Sequence, residues 1–169
     1  MRICVTSGAK GGTGKSTFAE LMAFVWRALG NPARVVKPLS GSPGSGLLIV
    51  DFPAFQLTDR RHMAELLRCD SVIYVADEDY QTLASVEVVH AIARRPVLGV
   101  VLNKVIKRPG RDFLRQYSRL GEVHVVRFDE KMAVHRAVGV PPYRVRSIAT
   151  LDMAKAAVKL YKCVDAGKR

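Results

Sequence analysis

Three short runs of apolar residues, separated by helix-like segments, constrain the fold of this chain more than any other feature of its sequence. The runs are LLIV (47–50), SVIYVA (71–76) and VLGVVL (97–102), and each is largely apolar on both faces. Strands with two apolar faces are typical of parallel sheets that helices cover on both sides. Because strand-like and helix-like segments alternate, the sequence predicts a doubly wound α/β sheet in three layers.

The length of the chain suits one domain with a substantial core. A chain of 169 residues buries roughly 70% of its unfolded surface, and no internal repeat divides this one. We therefore predict a single domain over residues 1–169, with a turn-rich loop, KPLSGSPGSG, at 37–46. Strands are predicted at 2–6, 33–36, 47–51, 71–76, 97–102 and 123–127, and helices at 16–29, 59–67, 79–93, 111–119, 130–138 and 149–164.

The segment TSGAKGGTGKST (6–17) lies between the first predicted strand and the first predicted helix. In a glycine-rich turn of this kind, successive backbone N–H groups point toward a phosphate, and the helix N-terminus adds partial positive charge. A P-loop also needs a lysine for the β- and γ-phosphates and a hydroxyl for Mg²⁺, which Lys15 and Ser16 supply. The predicted phosphate-binding residues are Gly11, Gly12, Thr13, Gly14, Lys15, Ser16 and Thr17.

One position of this segment departs from the strict P-loop pattern, which has glycine where this chain has Ala9. The octapeptide KGGTGKST (10–17) nevertheless resembles the deviant Walker A motif of the MinD/ParA/Mrp group of P-loop ATPases. In that group the first lysine of the motif reaches the ATP that is bound to the partner in a dimer. The resemblance implies that Lys10 and Lys15 are catalytic and that the chain forms an ATP-dependent homodimer.

Two further segments extend the resemblance along the chain. LLIVDFPAF (47–55) is similar to the strand of the group that ends in D-T-P-A-G, and it implies that Asp51 lies near Mg²⁺. VLGVVLNKV (97–105) is similar to the strand whose terminal asparagine meets the adenine ring, which is Asn103 here. The resemblance further implies ATP and Mg²⁺ as cofactors and a mainly parallel sheet in the order 2-3-1-4-5-6.

The largest departure from the group is the lack of any acidic residue between Glu20 and Asp51. Members of the group carry an aspartate-rich segment after the second strand, and this segment positions the attacking water. Asp51 is then the only acidic residue from the first half of the chain that we expect near the site. We therefore expect a nucleotide-dependent switch that binds Mg-ATP and hydrolyses it slowly.

Two other functions remain open. The first is a nucleotide-binding scaffold without hydrolysis, which the missing acidic segment favours. The second is an ATP-dependent enzyme, since VVKPLSGS (35–42) resembles a segment of dethiobiotin synthetase, an enzyme that phosphorylates a substrate carboxylate. That resemblance implies that Lys37 lies at the substrate. Phosphate release with ATP alone indicates the ATPase, release only with an added substrate indicates the synthetase, and binding without release indicates the scaffold.

The chain is strongly basic, with 27 Lys and Arg against 15 Asp and Glu and a net charge of +12. Such a charge favours acidic partners such as DNA. Arg111, Arg115 and Arg119 recur every four residues and therefore share one face of a predicted helix. The loop before this helix adds Lys104, Lys107 and Arg108. We interpret these cations as a surface for non-specific DNA or another acidic partner, with a solvated helix face as the alternative.

The remaining features give no sign of a metal site or a membrane segment. Cys4, Cys69 and Cys163 are widely separated and predict buried thiols rather than disulfides or metal ligands. The histidines show no ligand spacing and receive no role; they are His62, His90, His124 and His135. No apolar run reaches the ~18 residues of a membrane span, and the polar C-terminal tail is not expected to insert. We expect a cytoplasmic protein without a stable membrane anchor.

Overall fold

Six parallel strands form the centre of the fold. The structure is a computed structural model that describes residues 1–41 and 46–166, so part of the predicted loop 37–46 and the last three residues lie outside the described residues. Within these ranges the strand order is β2-β3-β1-β4-β5-β6, and every paired neighbour is parallel. The strands are β1 (Arg2–Thr6), β2 (Arg34–Val36), β3 (Leu48–Asp51), β4 (Ser71–Ala76), β5 (Val97–Val105) and β6 (Val123–Arg127). The predicted fold class and strand order are therefore confirmed.

Helices cover both faces of the sheet. They are α1 (Lys15–Ala28), α2 (Arg60–Leu67), α3 (Tyr80–Ala93), α4 (Arg111–Ser118), α5 (Glu130–Val134) and α6 (Ile148–Ala166), with a short 3-10 helix at Pro142–Arg144. Alternate residues of β1 serve the two layers: Ile3 and Val5 pack in the core under α1 and α6, whereas Cys4 packs in the core under α2, α3 and α4. Two apolar faces on one strand thus produce two cores.

The last helix, α6, is held against α1 by a buried aromatic residue. Trp26 of α1 is fully buried, and its indole N–H donates to the carbonyl of Ala157 over 2.7 Å. Truncating such a side chain to alanine costs roughly 3 to 5 kcal/mol. Among the described residues, no helix is both long enough and apolar enough to cross a membrane.

The helices differ in whether a side chain caps the backbone N–H groups of their first turn. Asp59, Asp79 and Asp129 cap α2, α3 and α5, because each carboxylate accepts a hydrogen bond from a backbone N–H of the first turn. Helix α1 differs, since its N-cap is Gly14 and no side chain caps it. Its first N–H groups are therefore available to a ligand.

Two predicted element ends were wrong by three residues or more, whereas the others agree within two residues. Strand β5 continues beyond the predicted end at 102, because a bulge between Leu102 and Val105 restores pairing with β6. Helix α5 ends at Val134 instead of 138, since the chain turns through Gly139, whose φ of 68° is left-handed. Both ends lie at the carboxyl edge of the sheet and shape the site described below.

The cysteines also differ from the prediction. Cys4 and Cys69 form a disulfide with their Cα atoms 5.9 Å apart, and Cys163 is an exposed free thiol. The reason is topological: α2 returns the chain to β4, which pairs with β1, and Cys69 lies between α2 and β4, where it meets Cys4. Because the two cysteines are 65 residues apart in the sequence, their spacing does not indicate this contact.

Candidate functional site

A glycine-rich loop connects β1 to α1 at the carboxyl edge of the sheet, where open α/β folds bind ligands. Gly12 and Gly14 have left-handed φ angles of 75° and 96°, which other residues adopt only with strain. A Cβ on Gly14 would also lie 2.3 Å from Nδ2 of Asn103, which donates to the carbonyl of Thr13 over 2.8 Å. The bare backbone at Gly14 is thus required by a neighbour that belongs to β5.

Lys15 lies under this loop. Its side chain is buried, and its Nζ donates to Oγ of Ser7 and to the carbonyl of Lys10, both over 2.9 Å. Burial lowers the pKa of the Lys15 ammonium, and the carboxylates of Asp51 and Asp77 offset part of that effect. The loop therefore surrounds a cation whose present partners are neutral oxygens, which a phosphate could replace.

Lys10 points away from the loop interior. Its Nζ lies 2.8 Å from Oδ2 of Asp79 and donates to Oε1 of Gln81 over 3.3 Å. The hydrogen bond to Asp79 raises the pKa of Lys10, and the ion pair lowers the pKa of Asp79. Asp79 and Gln81 lie at the start of α3 and were not predicted as partners of this lysine.

Asp51, at the end of β3, is buried, and its two carboxylate oxygens differ in their contacts. Oδ2 lies 2.5 Å from Nζ of Lys37, whereas Oδ1 is buried and has no hydrogen-bond partner among the described residues. Ser16 is the second residue of α1, half-buried, and lines the same edge. A hydroxyl and an unpartnered carboxylate oxygen match the oxygen ligands of Mg²⁺, which usually binds few protein groups besides phosphates and water.

The expectation that Asp51 is the only acidic residue of the first half near this edge was wrong. Asp77 and Asp79 follow β4, which pairs with β1, and the two carboxylates act on Lys15 and Lys10 respectively. Oδ1 of Asp77 accepts from the hydroxyl of Thr82 over 2.5 Å. Their position just after a buried strand is a sequence signal that could have found them.

A cavity of about 340 Å³ opens beside the loop. One wall comprises Gly12, Gly14, Lys15, Ser16 and Thr17 of the loop and α1. The other wall comprises Asn103, Lys104, Arg127, Phe128, Asp129, Met132, Ala133, His135, Arg136, Ala149 and Met153. The cavity therefore joins the predicted phosphate-binding residues to side chains from β5, β6, α5 and α6, most of which the sequence did not indicate.

The bulge in β5 turns two successive side chains toward the loop. Lys104 has a left-handed φ of 60°, and its Nζ donates to the carbonyl of Gly12 over 2.5 Å, beside the Asn103 contact to Thr13. In a regular strand these neighbours would point to opposite faces. The sequence did not predict this role for Lys104, which we had grouped with the basic surface.

Arg127 and Asp152 form a fixed ion pair in the opposite wall. Nε and Nη2 of Arg127 each lie 2.8 Å from one carboxylate oxygen of Asp152. Arg127 lowers the pKa of Asp152, and the same pairing raises the pKa of Arg127. Two parallel hydrogen bonds of this kind hold the guanidinium in one orientation.

His135 follows α5 and is buried, with a partner at each ring nitrogen. Nε2 lies 3.2 Å from Oγ1 of Thr17, and Nδ1 lies 2.9 Å from the carbonyl oxygen of Val140. This histidine received no role from the sequence, because nothing in its spacing links residue 135 to the glycine-rich loop.

The cations predicted for the basic surface are exposed, and one of them, Lys104, also contacts the glycine-rich loop. Arg111, Arg115 and Arg119 are exposed along α4 and its end, with Arg115 near Asp112 at 3.4 Å and Arg119 donating to Gln116 over 2.7 Å. Lys107 and Arg108 are exposed in the preceding loop, but Lys104 is engaged by the glycine-rich loop.

No protein-family model and no curated protein sequence matches this chain. Solved structures of MinD and ParA-family proteins share its fold. MinD from Pyrococcus horikoshii, complexed with Mg-ADP, has a TM-score of 0.77 at 16% identity over 96% of both chains. MinD from Aquifex aeolicus has a TM-score of 0.78 at 12% identity, over 95% of this chain and 96% of that one. A ParA-family ATPase from Chlorobium tepidum has a TM-score of 0.67 at 16% identity, over 93% and 97%.

These neighbours are the MinD and ParA proteins that the motif KGGTGKST led us to expect. At such low identity the shared property is the P-loop fold itself. The roles of individual residues must be argued from the geometry of this chain.

Proposed function

We propose that this chain is a single nucleotide-binding domain of the MinD/ParA type, a P-loop ATPase that acts as a homodimerising switch. The observation that carries the proposal is Lys15, a buried lysine enclosed by a glycine-rich loop at the uncapped start of a helix. Burying a cation is unfavourable unless its partners compensate, and here they are one hydroxyl and one carbonyl. Phosphate oxygens are stronger partners for that ammonium.

The phosphates would be bound by the backbone N–H groups of the loop together with Lys15. Ser16 and the free Oδ1 of Asp51 would hold Mg²⁺, whose chemistry there is to offset the charge of the β- and γ-phosphates. On the opposite side of the cavity, Asn103 uses its amide nitrogen for Thr13, which leaves its oxygen as an acceptor. An acceptor suits the amino group of adenine and therefore favours ATP.

A homodimer that depends on ATP is the second element of the proposal. Lys10 is partly exposed, and its ion pair with Asp79 is at the surface, where solvent screening makes the pairing weak. The lysine is therefore free to exchange Asp79 for the phosphates of a partner molecule. The MinD and ParA neighbours support this proposal by their fold alone.

Slow hydrolysis is the third element. No acidic residue occurs between Glu20 and Asp51, Asp51 already contacts Lys37, and Asp77 accepts from Thr82. Because we assign Asp51 to Lys37 and Mg²⁺, and Asp77 to Thr82, no carboxylate in this proposal orients water, although such positioning is most of what phosphoryl transfer requires. We expect under about one turnover per minute, far below the median enzyme rate of about 10 s⁻¹. A nucleotide-binding scaffold without hydrolysis is the limiting case.

The exposed arginines of α4 are proposed to contact DNA or another acidic partner without reading sequence. A cytoplasmic location is consistent with this proposal, because both ATP and DNA are available there.

A second candidate function is an ATP-dependent synthetase. The contact between Lys37 and Asp51 favours it, since it places a lysine beside the predicted Mg²⁺ ligand, where a substrate carboxylate could bind. Phosphate release that requires a diamine or carboxylate substrate would support this candidate over the switch.

Calorimetry of Mg-ATP binding tests the proposal. Lys15→Ala should weaken binding at least tenfold, about 1.4 kcal/mol, because no backbone group replaces the ammonium. Lys162→Ala, which removes the same charge from an exposed site on α6, should bind like the parent. Equal affinity of the Lys15 variant and the parent would contradict the P-loop assignment. A phosphate-release assay on the same samples then separates ATPase, scaffold and synthetase.

A further inference from the structure

The hydrogen-bond partners of His135 determine which of its nitrogens carries a hydrogen. Nδ1 lies 2.9 Å from the carbonyl oxygen of Val140, and a carbonyl can only accept. Nδ1 is therefore protonated in the neutral ring, and Nε2 is bare. Since Nε2 lies 3.2 Å from Oγ1 of Thr17, the neutral ring accepts the hydroxyl hydrogen of Thr17.

A phosphate at Thr17 would compete for that hydrogen. Thr17 is the third residue of α1 and lines the same cavity as His135. Phosphate oxygens without a proton are acceptors, as bare Nε2 is, but the Thr17 hydroxyl has a single hydrogen to donate. If the hydrogen turns to the phosphate, two acceptors, Nε2 and Oγ1, face each other between the buried His135 and the half-buried Thr17, which is unfavourable.

One additional proton removes this conflict. With both nitrogens protonated, His135 donates from Nδ1 to Val140 and from Nε2 to Oγ1 of Thr17, and the Thr17 hydroxyl donates to the phosphate. The negative charge of the phosphate stabilises the imidazolium. We propose that phosphate binding at Thr17 is coupled to uptake of one proton from solvent by His135. This inference rests on the proposed nucleotide binding, and it makes His135 a positioning residue that acts through Thr17.

The elements packed around His135 carry several charged groups. Those on α1, α6 and its own segment already have partners, in the contacts Glu20 with Arg136, Asp152 with Arg127, Lys15 with Ser7, and Asp129 with the backbone N–H groups of Lys131 and Ile148. Glu130, Lys131 and Arg144 are exposed. Among the described residues, the hydrogen-bond partners of the His135 ring are Thr17 and Val140.

Calorimetry in several buffers of different ionisation enthalpy measures the proton uptake. The titrations use ADP with excess Mg²⁺ at pH about 7.5, above the usual pKa of histidine. On binding ADP, the parent should take up roughly one proton more than two variants that cannot form the hydrogen bonds from His135 through Thr17 to the phosphate. Thr17→Val removes the hydroxyl at nearly constant shape, and His135→Asn keeps a donor for the Val140 carbonyl but does not titrate. Thr17→Ser retains the hydroxyl and should retain the proton uptake of the parent, whatever its ADP affinity.

The sign of the pH dependence follows from the coupling. Because binding takes up a proton, ADP affinity of the parent relative to His135→Asn should fall as pH rises. The loss approaches about tenfold per pH unit when one proton is linked. Nitrogen NMR of the labelled ring should show a neutral Nδ1–H form without ADP and two protonated nitrogens with it.

The outcomes separate this inference from the proposed function. If the parent does not bind ADP, the proposed nucleotide binding itself fails. If the parent binds ADP but takes up no more protons than Thr17→Val, or if the bound ring stays neutral, the coupling is overturned while nucleotide binding stands. A variant that unfolds is replaced by its partner in the pair, because the two test the same hydrogen-bond chain from opposite ends.

Discussion

The two walls of the cavity differ in how they are built. The phosphate wall belongs to one continuous segment, residues 7–17, whose form depends mainly on its backbone and its glycines. The opposite wall is an assembly of side chains from β5, β6, α5 and α6, including Asn103, Arg127 and His135. The first wall depends on local backbone conformation, and the second depends on how distant elements pack.

This difference predicts different sensitivities. A backbone site tolerates changes of side chain but not an added Cβ where the chain is left-handed or in close contact. A side-chain site tolerates backbone adjustment but not the loss of a partner that orients a charged group. The predictions below test each wall with a matched control.

The largest effect is expected for Gly14→Ala. The new Cβ would lie 2.3 Å from Nδ2 of Asn103, at a φ of 96°, so either the loop or the Asn103 side chain, which holds Thr13, must shift. We expect ATP affinity to fall at least about a hundredfold, roughly 2.7 kcal/mol. Gly30→Ala carries a similar positive φ of 87° with no atom within 4 Å of its Cβ, and it should lose stability but not affinity. Once both variants are shown to be folded, calorimetry measures their affinities for ATP. Equal affinities would contradict a phosphate wall built from the backbone.

Asp152→Asn should have the next largest effect, on the free energy of unfolding. It removes the charge that holds Arg127, and we expect a loss of about 2 kcal/mol at pH 7 in urea titrations. Because Arg127 lowers the pKa of Asp152, the ion pair contributes fully above the unfolded pKa of about 3.9 and is lost as pH falls through the lower folded value. The difference between parent and variant should therefore shrink in acid.

The control for that ion pair is Asp112→Asn. Asp112 is exposed and lies 3.4 Å from Arg115, a geometry that contributes little to stability. The free energy of unfolding of this variant should lie within about 0.5 kcal/mol of that of the parent, both at pH 7 and in acid. A pH-independent loss in Asp152→Asn would show that packing, and not the ion pair, is responsible.

The same contrast explains how far the sequence could predict the structure. Buried strands, helix starts and the glycine-rich loop follow from local sequence patterns. The fold and the loop segment 6–17 could therefore be predicted from the sequence. The bulge that turns Asn103 and Lys104 together, and the contact of His135 with Thr17, depend on packing between elements. The Cys4–Cys69 disulfide depends on the crossover through α2 in the same way. No local pattern carries such information.

Lys10→Ala tests whether the two lysines of the phosphate wall differ in role. Lys10 contacts Asp79 outside the loop, while Lys15 is buried within it. The variant should bind ATP within about twofold of the parent but dimerise at least about tenfold more weakly, roughly 1.4 kcal/mol. Light scattering with and without ATP measures this, and Lys162→Ala is the charge-matched control. Equal dimerisation of variant and parent would remove the intermolecular role of Lys10.

The smallest effect is expected outside both walls, at Arg111, Arg115 and Arg119. These arginines are exposed and available to neutralise DNA phosphates, whereas the ammonium of Lys104 already donates to the carbonyl of Gly12. Each contact on duplex DNA steepens the salt dependence of binding by about 0.9, and changing all three to alanine should flatten the slope by about two to three units. Removing the same charge from α6, with Lys155, Lys159 and Lys162 changed to alanine, should leave the slope nearly intact. If the ATP-loaded parent is not retained on DNA even at low salt, the arginines form only a solvated helix face.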